Sequence, residues 1–471
     1  MRILKGLRPE AALRYFEEIC AIPHGSRDTK RISDYCVRFA KEHGLKYIQD
    51  ANNNVVIYKP ASAGYENHPT VIVQGHLDMV CEKDPDCDID FSKDGLRLRC
   101  DGKYIFAEGT TLGGDDGIAV AYALAVLESN ELRHPPIEAV FTVDEEIGML
   151  GAEAMDMSVL QGRILLNCDS EDEGILTVSC AGGATSTISK PIQREAADGL
   201  IWRMAVKDLI GGHSGVEINS GRANANKVLA QILKDLPVRL IRIDGGSKDN
   251  AIPRAAEAIV AADAPESAFF ARAEEIRKTI PEAETEVQFI CEPAKSDLLP
   301  MTEEDSRQTL ALLNALPNGV QKMSCDIENL VQTSLNLGIL MTQNDCVTMT
   351  FSVRSSVNTE KTELIERLRQ IGESYGGSYA ESGAYPAWEY QKQSRLRDTM
   401  LEVFREQYGH EAVVEAIHAG LECGIFADRL PGLDAVSFGP QMYDIHTSRE
   451  RLDLASTERT WNYLVEVLAR L

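Results

Sequence analysis

In Gly75-His76-Leu77-Asp78-Met79, directly after the apolar run Val-Ile-Val-Gln, a histidine and an aspartate stand two residues apart. Side chains two apart on an extended segment point the same way, so His76 could ligate a cation while Asp78 orients its ring. Taken alone, the pair is a weak signal, and a plain satisfied loop histidine is its commoner explanation. Gly113-Gly114-Asp115-Asp116-Gly117 opens an apolar helix. Capping and the helix dipole favour acids there. Two consecutive carboxylates between glycines exceed what a cap needs, and suggest a carboxylate aimed into a site. Val143-Asp144-Glu145-Glu146-Ile147-Gly148 ends a third apolar run. Successive acids repel one another, and either solvation or a bound dication relieves them. Adjacent glutamates also permit a division of labour, one ligating and the other acting as general base on water. Asp169, in Asn167-Cys168-Asp169-Ser170, again follows an apolar stretch, and His446 lies far downstream in GPQMYDIHTSRE.

Taken together, the acids at 78, 115, 146 and 169 follow one rule. Open α/β sheets place their sites at the carboxyl ends of strands. Two histidines and several carboxylates form a nitrogen and oxygen donor set suited to zinc, manganese or cobalt, unlike a thiolate structural site. With one shared carboxylate, such a set would serve two cations about 3.5–4 Å apart.

The elements that would position these groups can be read from periodicity. Residues 9–20 and 28–43 have helical apolar spacing. Short strands are predicted at 54–59, 70–74, 137–143 and 163–167, and Gly117 to Glu128 is apolar nearly all round, as a buried crossover helix is. This alternation predicts an α/β layer with a mostly parallel sheet. From Gly182 to about Tyr385 a second set appears. Its strands are expected at 201–206, 239–243, 257–262, 285–291, 332–340 and 346–353, with helices at 222–235, 266–279, 303–315 and 359–374. Helices at 394–408 and 456–470 follow, with short strands near Val413 and Val436. A site built from both His76 and His446 favours an insertion, giving the first part of one domain over 1–182, an inserted domain over 183–386 and the second part of the first domain over 387–471.

Composition narrows the function classes. The chain has 471 residues, 48 basic and 73 acidic side chains and a formal charge of −25, with 44% hydrophobic residues. That is a globular composition with length for several domains. The acid excess argues against nucleic-acid or anionic-membrane surfaces, which need clustered Lys and Arg. No apolar run approaches the ~18 residues of a membrane span, and the charged N-terminal segment lacks a signal peptide's apolar core. A cytoplasmic protein is expected. The 11 cysteines are scattered without a C-x-x-C, so neither a disulfide framework nor a thiolate zinc site is expected.

Other motifs carry less. The alternating Asp84, Asp86, Asp88 and Asp90 lack the glycine and glutamate of a calcium loop, where Ile89 and Gly95 stand. Gly212-His213-Ser214-Gly215 is not a nucleophile elbow, because Val216 occupies the place of the second glycine. No phosphate-binding glycine loop is present. His24, His43, His68, His134 and His410 are expected at the surface, while His418, beside Gly420, could line a site. Trp202, Trp388 and Trp461 read as packing residues.

The ordered series HLDMV, TLGGDDGIA, DEEIG, NCDSEDEG, GGHSG, NANK, NAIPR, RSSV and HAGLECG resembles the aminoacyl-histidine dipeptidases, carnosinase-like members of the two-zinc exopeptidase and deacylase superfamily. The likeness runs through essentially the whole chain. It implies an α/β zinc-exopeptidase catalytic domain interrupted by an inserted α+β lid. It further implies one cation on His76, Asp115 and Asp169 and another on Asp115, Glu146 and His446, with Asp115 as the bridge in preference to Asp116. Zinc is expected, with cobalt or manganese as alternatives. By the same resemblance, Asp78 orients His76, Glu145 is the general base, and His213 stabilises the oxyanion. Asn250, Arg354 and Gly420 hold the substrate, Arg354 gripping a carboxylate. The implied reaction is hydrolysis of unblocked dipeptides, preferentially Xaa-His and including the β-Ala-His type, by a homodimer formed through the lid. Another exopeptidase or an N-acyl amino acid deacylase is the alternative within the class. A non-catalytic metal-binding protein is the alternative outside it.

Overall fold

The structure, a computed structural model, describes residues 2–471. By its contacts the chain forms two compact units. One comprises the residues up to Ser179, Tyr390–Ala416 and Leu421–Leu471; the other comprises Cys180–Glu389 and Ile417–Gly420.

The first unit is built on an eight-stranded sheet in the order Lys46–Gln49, Val55–Lys59, Ile137–Thr142, Val71–His76, Ile164–Asn167, Asp434–Ser437, Ile175–Cys180, Val413–Ile417. The four middle strands, Ile137–Thr142 to Asp434–Ser437, are mutually parallel. Antiparallel pairs flank them, so the parallel order expected for most of the sheet lies at its centre. The reason at one edge is local. Lys46–Gln49 and Val55–Lys59 are joined by a short turn in which Asp50 accepts from the Asn52 and Asn54 amides, and so short a link forces antiparallel pairing.

Alternation along Val71–His76 puts neighbouring side chains on opposite faces of the sheet. At Gly75 an added Cβ would lie 2.5 Å from Asp116 Oδ2 and 2.8 Å from Ala119 Cβ, so the helix Gly114–Glu128 lies directly against that face. On the other face Gln74 bonds Glu422 at the start of the helix Glu422–Arg429. Residues 114–127 are all buried, as a helix apolar all round must be. The helices Glu10–Cys20 and Leu454–Arg470 also face this core through Phe16, Ile19, Leu464 and Val467.

A small antiparallel sheet, in the order Met442–Tyr443, Arg451–Asp453, Tyr104–Ala107, Leu98–Cys100, joins two loops that the site needs. One is the loop after Tyr443, which carries His446, and the other is the approach to Asp115.

The second unit holds a nine-stranded sheet whose described pairings are all antiparallel, from Gln288–Pro293 at one edge to Ser378–Tyr385 at the other. The helices Ala225–Leu233, Glu266–Arg277, Glu303–Ala315 and Asn358–Ser374 contribute Leu229, Phe269, Leu313 and Leu368 to its own core.

Candidate metal centre

His76 is the last residue of its strand, and Asp169 follows the strand Ile164–Asn167 by two residues. Glu145 and Glu146 follow Ile137–Thr142 in a tight turn, where the Gly148 and Met149 amides both donate to Glu145 O at 2.8 Å. Asp144 enters that turn at φ 56°. A left-handed backbone is uncommon for a residue with a Cβ, and here its carboxylate accepts from the Arg27 amide at 2.5 Å. Asp115 lies in the first turn of Gly114–Glu128, but its φ/ψ of −80°/105° is not helical, and its peptide bond to Asp116 is cis.

Asp115 is the centre of the arrangement. Its Oδ1 lies 3.1 Å from His76 Nε2 and its Oδ2 lies 3.1 Å from His446 Nε2. On the His76 side, Asp169 Oδ1 is 3.7 Å from the same Nε2. On the His446 side, Glu146 Oε2 is 3.0 Å from Nε2. Two donor atoms about 2.0–2.2 Å from one tetrahedral zinc lie roughly 3.3 Å apart. The observed separations therefore suit atoms sharing a cation. His76, Asp115 and Glu146 form one group able to hold a metal, and His76, Asp116 and Asp169 form another.

Electrostatics agree with the donor geometry. Burial, which alone would raise it, is outweighed at Asp115 by hydrogen bonds from His446 and His76, which hold its carboxyl well below the usual range. The Asp115 and Glu146 carboxylates push His446 up to about 10. Burial and then the Asp116 charge push Asp169 well above the ordinary value. Burial, with Glu422, Asp115 and Glu146 adding to it against His76, pushes Glu145 up to about 8. So many carboxylates cannot stay ionised together at neutral pH without positive charge among them, and divalent cations would supply it. Asp116, which the sequence reading sets aside as a ligand, is fully buried. One of its oxygens accepts from the His76 amide at 3.1 Å and the other has no partner.

Asp78 does more than face His76. Its carboxylate is 3.5 Å from His76 Nδ1, while its own carbonyl is closer, at 3.0 Å. The carboxylate accepts from the Glu145 amide at 3.0 Å, the Glu146 amide at 3.3 Å and Ser26 Oγ at 2.8 Å. Asp78 thus anchors the turn that presents both glutamates. Glu450 plays the same part for the other loops. It is buried four residues beyond His446, and it accepts from the Leu112, Gly113 and Gly114 amides at 2.7, 3.2 and 2.7 Å. Those glycines lead into Asp115. His446 itself is exposed, at φ 59°.

His213, Asn250, Arg354 and Gly420 all belong to the second unit. His213 sits on the short strand Gly212–His213, paired with Ala251, and the Ser214 amide donates to Asn250 O at 2.8 Å. Arg354 is paired across the sheet with Ser334, and its Nη1 donates to Tyr385 Oη at 3.1 Å. Ser334 Oγ is 2.7 Å from His418 Nε2. Burial first, then the charges of Arg354 and His213, lower His418 to about 3, so the ring is neutral. Three buried polar atoms there have no partner: Arg354 Nε, His418 Nδ1 and Ser214 Oγ.

Ser26, Glu422, Glu450 and the ligand candidacy of Asp116 went unread in the sequence, where an acid beside the apolar run Cys423–Ala427 could have pointed to Glu422 and nothing local to Glu450, which stands between Arg449 and Arg451. Two histidines expected at the surface are buried. His24 has Nε2 facing Gly113, and His134 bonds the Pro135 carbonyl at 2.8 Å. Local polar context hid both.

A model of peptidase family M20/M25/M40 matches residues 72–470. The cytosol non-specific dipeptidase of Escherichia coli (strain K12) is 36% identical over 482 residues, covering 100% of this chain and 99% of that protein. The crystal structure of aminoacylhistidine dipeptidase from Vibrio alginolyticus has a TM-score of 0.94 and 37% identity, covering 99% of this chain and 98% of that one. An aminopeptidase from Bacillus cereus ATCC 10987, at 15% identity, a TM-score of 0.58 and 98% coverage of both chains, shares the fold. No helix among the described residues is long and apolar enough to cross a membrane.

Proposed function

The chain belongs to peptidase family M20/M25/M40, and on that premise we propose that it hydrolyses unblocked dipeptides, Xaa-His preferentially, at a centre for two divalent cations. The observation that carries the reading is the Asp115 carboxylate, with one oxygen toward His76 and the other toward His446. His76, Asp115 and Asp169 would hold one cation, and Asp115, Glu146 and His446 the other. Zinc suits the donor set, as do cobalt and manganese. When bound, the pair would supply a Lewis acid for the scissile carbonyl and lower the pKa of the attacking water.

The chain's own residues would do the rest. Glu145 takes a proton from the attacking water and returns it to the leaving amine. Asp78 holds the backbone that presents it. His213 donates to the carbonyl oxygen as negative charge develops there. Arg354 binds the substrate's C-terminal carboxylate, and Asn250 and Gly420 hold its backbone. The relatives' names, one a non-specific dipeptidase and one an aminoacylhistidine dipeptidase, support the substrate class. A cytoplasmic location and a homodimer through the Cys180–Glu389 unit complete the proposal.

Elemental analysis with chromatography of products from Xaa-His dipeptides, other dipeptides and N-acyl amino acids tests it. The expected outcome is two cations per chain, release of both amino acids from dipeptides, and fastest turnover with Xaa-His. In Glu145→Ala the cations stay and turnover falls by roughly 10²–10⁴-fold. Cleavage of acyl substrates alone would assign the chain to the deacylases. Undiminished turnover in Glu145→Ala would remove the general base from the scheme.

A further inference from the structure

Glu422 stands outside the groups assigned so far, yet the strands that carry them converge on it. It is fully buried at the start of Glu422–Arg429. Its Oε2 accepts from Gln74 Nε2 at 2.6 Å and from Thr142 Oγ1 at 2.6 Å. Gln74 Oε1 accepts in turn from Asn167 Nδ2 at 2.6 Å. Gln74, Thr142 and Asn167 lie on the three adjacent parallel strands of the sheet's centre. Each sits just before a functional group: Gln74 two residues before His76, Thr142 just ahead of Glu145 and Glu146, and Asn167 two residues before Asp169.

An ionised carboxylate is costly to bury, and a neutral amide could tie strands together at less expense. Glu422 Oε1 and Asn167 Oδ1 moreover have no hydrogen-bond partner, so the network does not satisfy itself. We infer that Glu422 is a positioning residue of the metal centre: through Gln74, Thr142 and Asn167 it sets the spacing of the strand ends bearing His76, Glu145, Glu146 and Asp169. This inference rests on the metal centre proposed above.

The test is an exchange of donor and acceptor. Glu422→Gln, Gln74→Glu and the double variant are compared with the wild type after the protein is stripped by chelator dialysis. Zinc and cobalt affinities are read by competition with a chromophoric chelator, the cobalt absorption spectrum reports ligand geometry, and thermal midpoints are taken without metal. Glu422→Gln is expected to weaken cation binding by about 10–100-fold, the usual effect of removing a group that supports metal ligands. Its metal-free midpoint should stay within a few degrees of the wild type, and kcat should fall more than KM changes. In Glu422→Gln/Gln74→Glu the donor and the acceptor are restored at exchanged positions, and affinity should return to within about threefold. Wild-type affinity in Glu422→Gln would overturn the inference. So would equal loss of metal-free stability in the single and double variants without any change in affinity. If the wild type takes up neither metal, the metal centre itself falls. Thr142→Val, which removes one donor and keeps the carboxylate, is expected to weaken binding several-fold and serves if Glu422→Gln does not fold.

Discussion

The two units bury polar groups in opposite ways. In the second, Asn224 Nδ2 donates to Asn336 Oδ1 and Leu337 O at 3.0 Å each, and Asn226 Nδ2 donates to Leu337 O at 3.1 Å. Asn336 Nδ2 reaches Ala251 O at 2.8 Å and Asp249 O at 3.0 Å, the carbonyls on either side of Asn250. These groups are neutral and their donors are met by the chain itself. In the first unit the buried groups are carboxylates crowded round two imidazoles, and burial pushes several of them to bind protons. The amide network has its donors met as folded, and fixes backbone. An anionic cluster is complete only with cations, and so reads as a binding site.

Deleting Asp115, the proposed shared ligand, should separate the two most. Asp115→Ala is expected to lose bound metal and bring dipeptide hydrolysis to background, with metal content measured by elemental analysis. Two cations per chain in that variant would erase the contrast. Next comes the stabilisation that cations confer: at a hundredfold excess over Kd it is about 2.7 kcal/mol per site. A chelator should therefore lower the calorimetric midpoint and zinc should restore it; an unmoved midpoint would place the carboxylates outside any metal site. Asp78→Asn, which disturbs the acceptor for the Glu145 and Glu146 amides, should reduce kcat/KM by about 10–100-fold. Smallest is Asn336→Ala. It should cost about 1–3 kcal/mol in denaturant unfolding, leave metal content unchanged, and raise KM more than it lowers kcat as the Asn250 backbone loosens. Loss of metal in that variant would mean that the amide network serves both regions.

The contrast also explains what could be read from sequence. The groups at 76, 78, 115, 145, 146 and 169 announce themselves because each follows or precedes an apolar run within a few residues, so chemistry and position share one short window. His446 draws notice only beside the other groups, since the strands next to it, Met442–Tyr443 and Arg451–Asp453, are too short to show any period. Glu422 and Glu450 act on partners at least 280 residues away in the chain, a distance printed in no local pattern. The antiparallel flanks of the first sheet were hidden for a related reason. Strand direction depends on connections, whereas apolar runs report only burial.

The strand Asp434–Ser437 lies between Ile164–Asn167 and Ile175–Cys180, in the middle of the first sheet. A ribosome therefore releases both neighbours long before the strand that separates them. With roughly 250 residues still to be made, at about 5–20 residues per second, the gap stays open for roughly 12–50 s. Through that interval two apolar strand edges stand unpaired, an invitation to aggregation. The nascent chain also lacks His446 through that interval, so a metal centre completed by that residue cannot form until it too has been made.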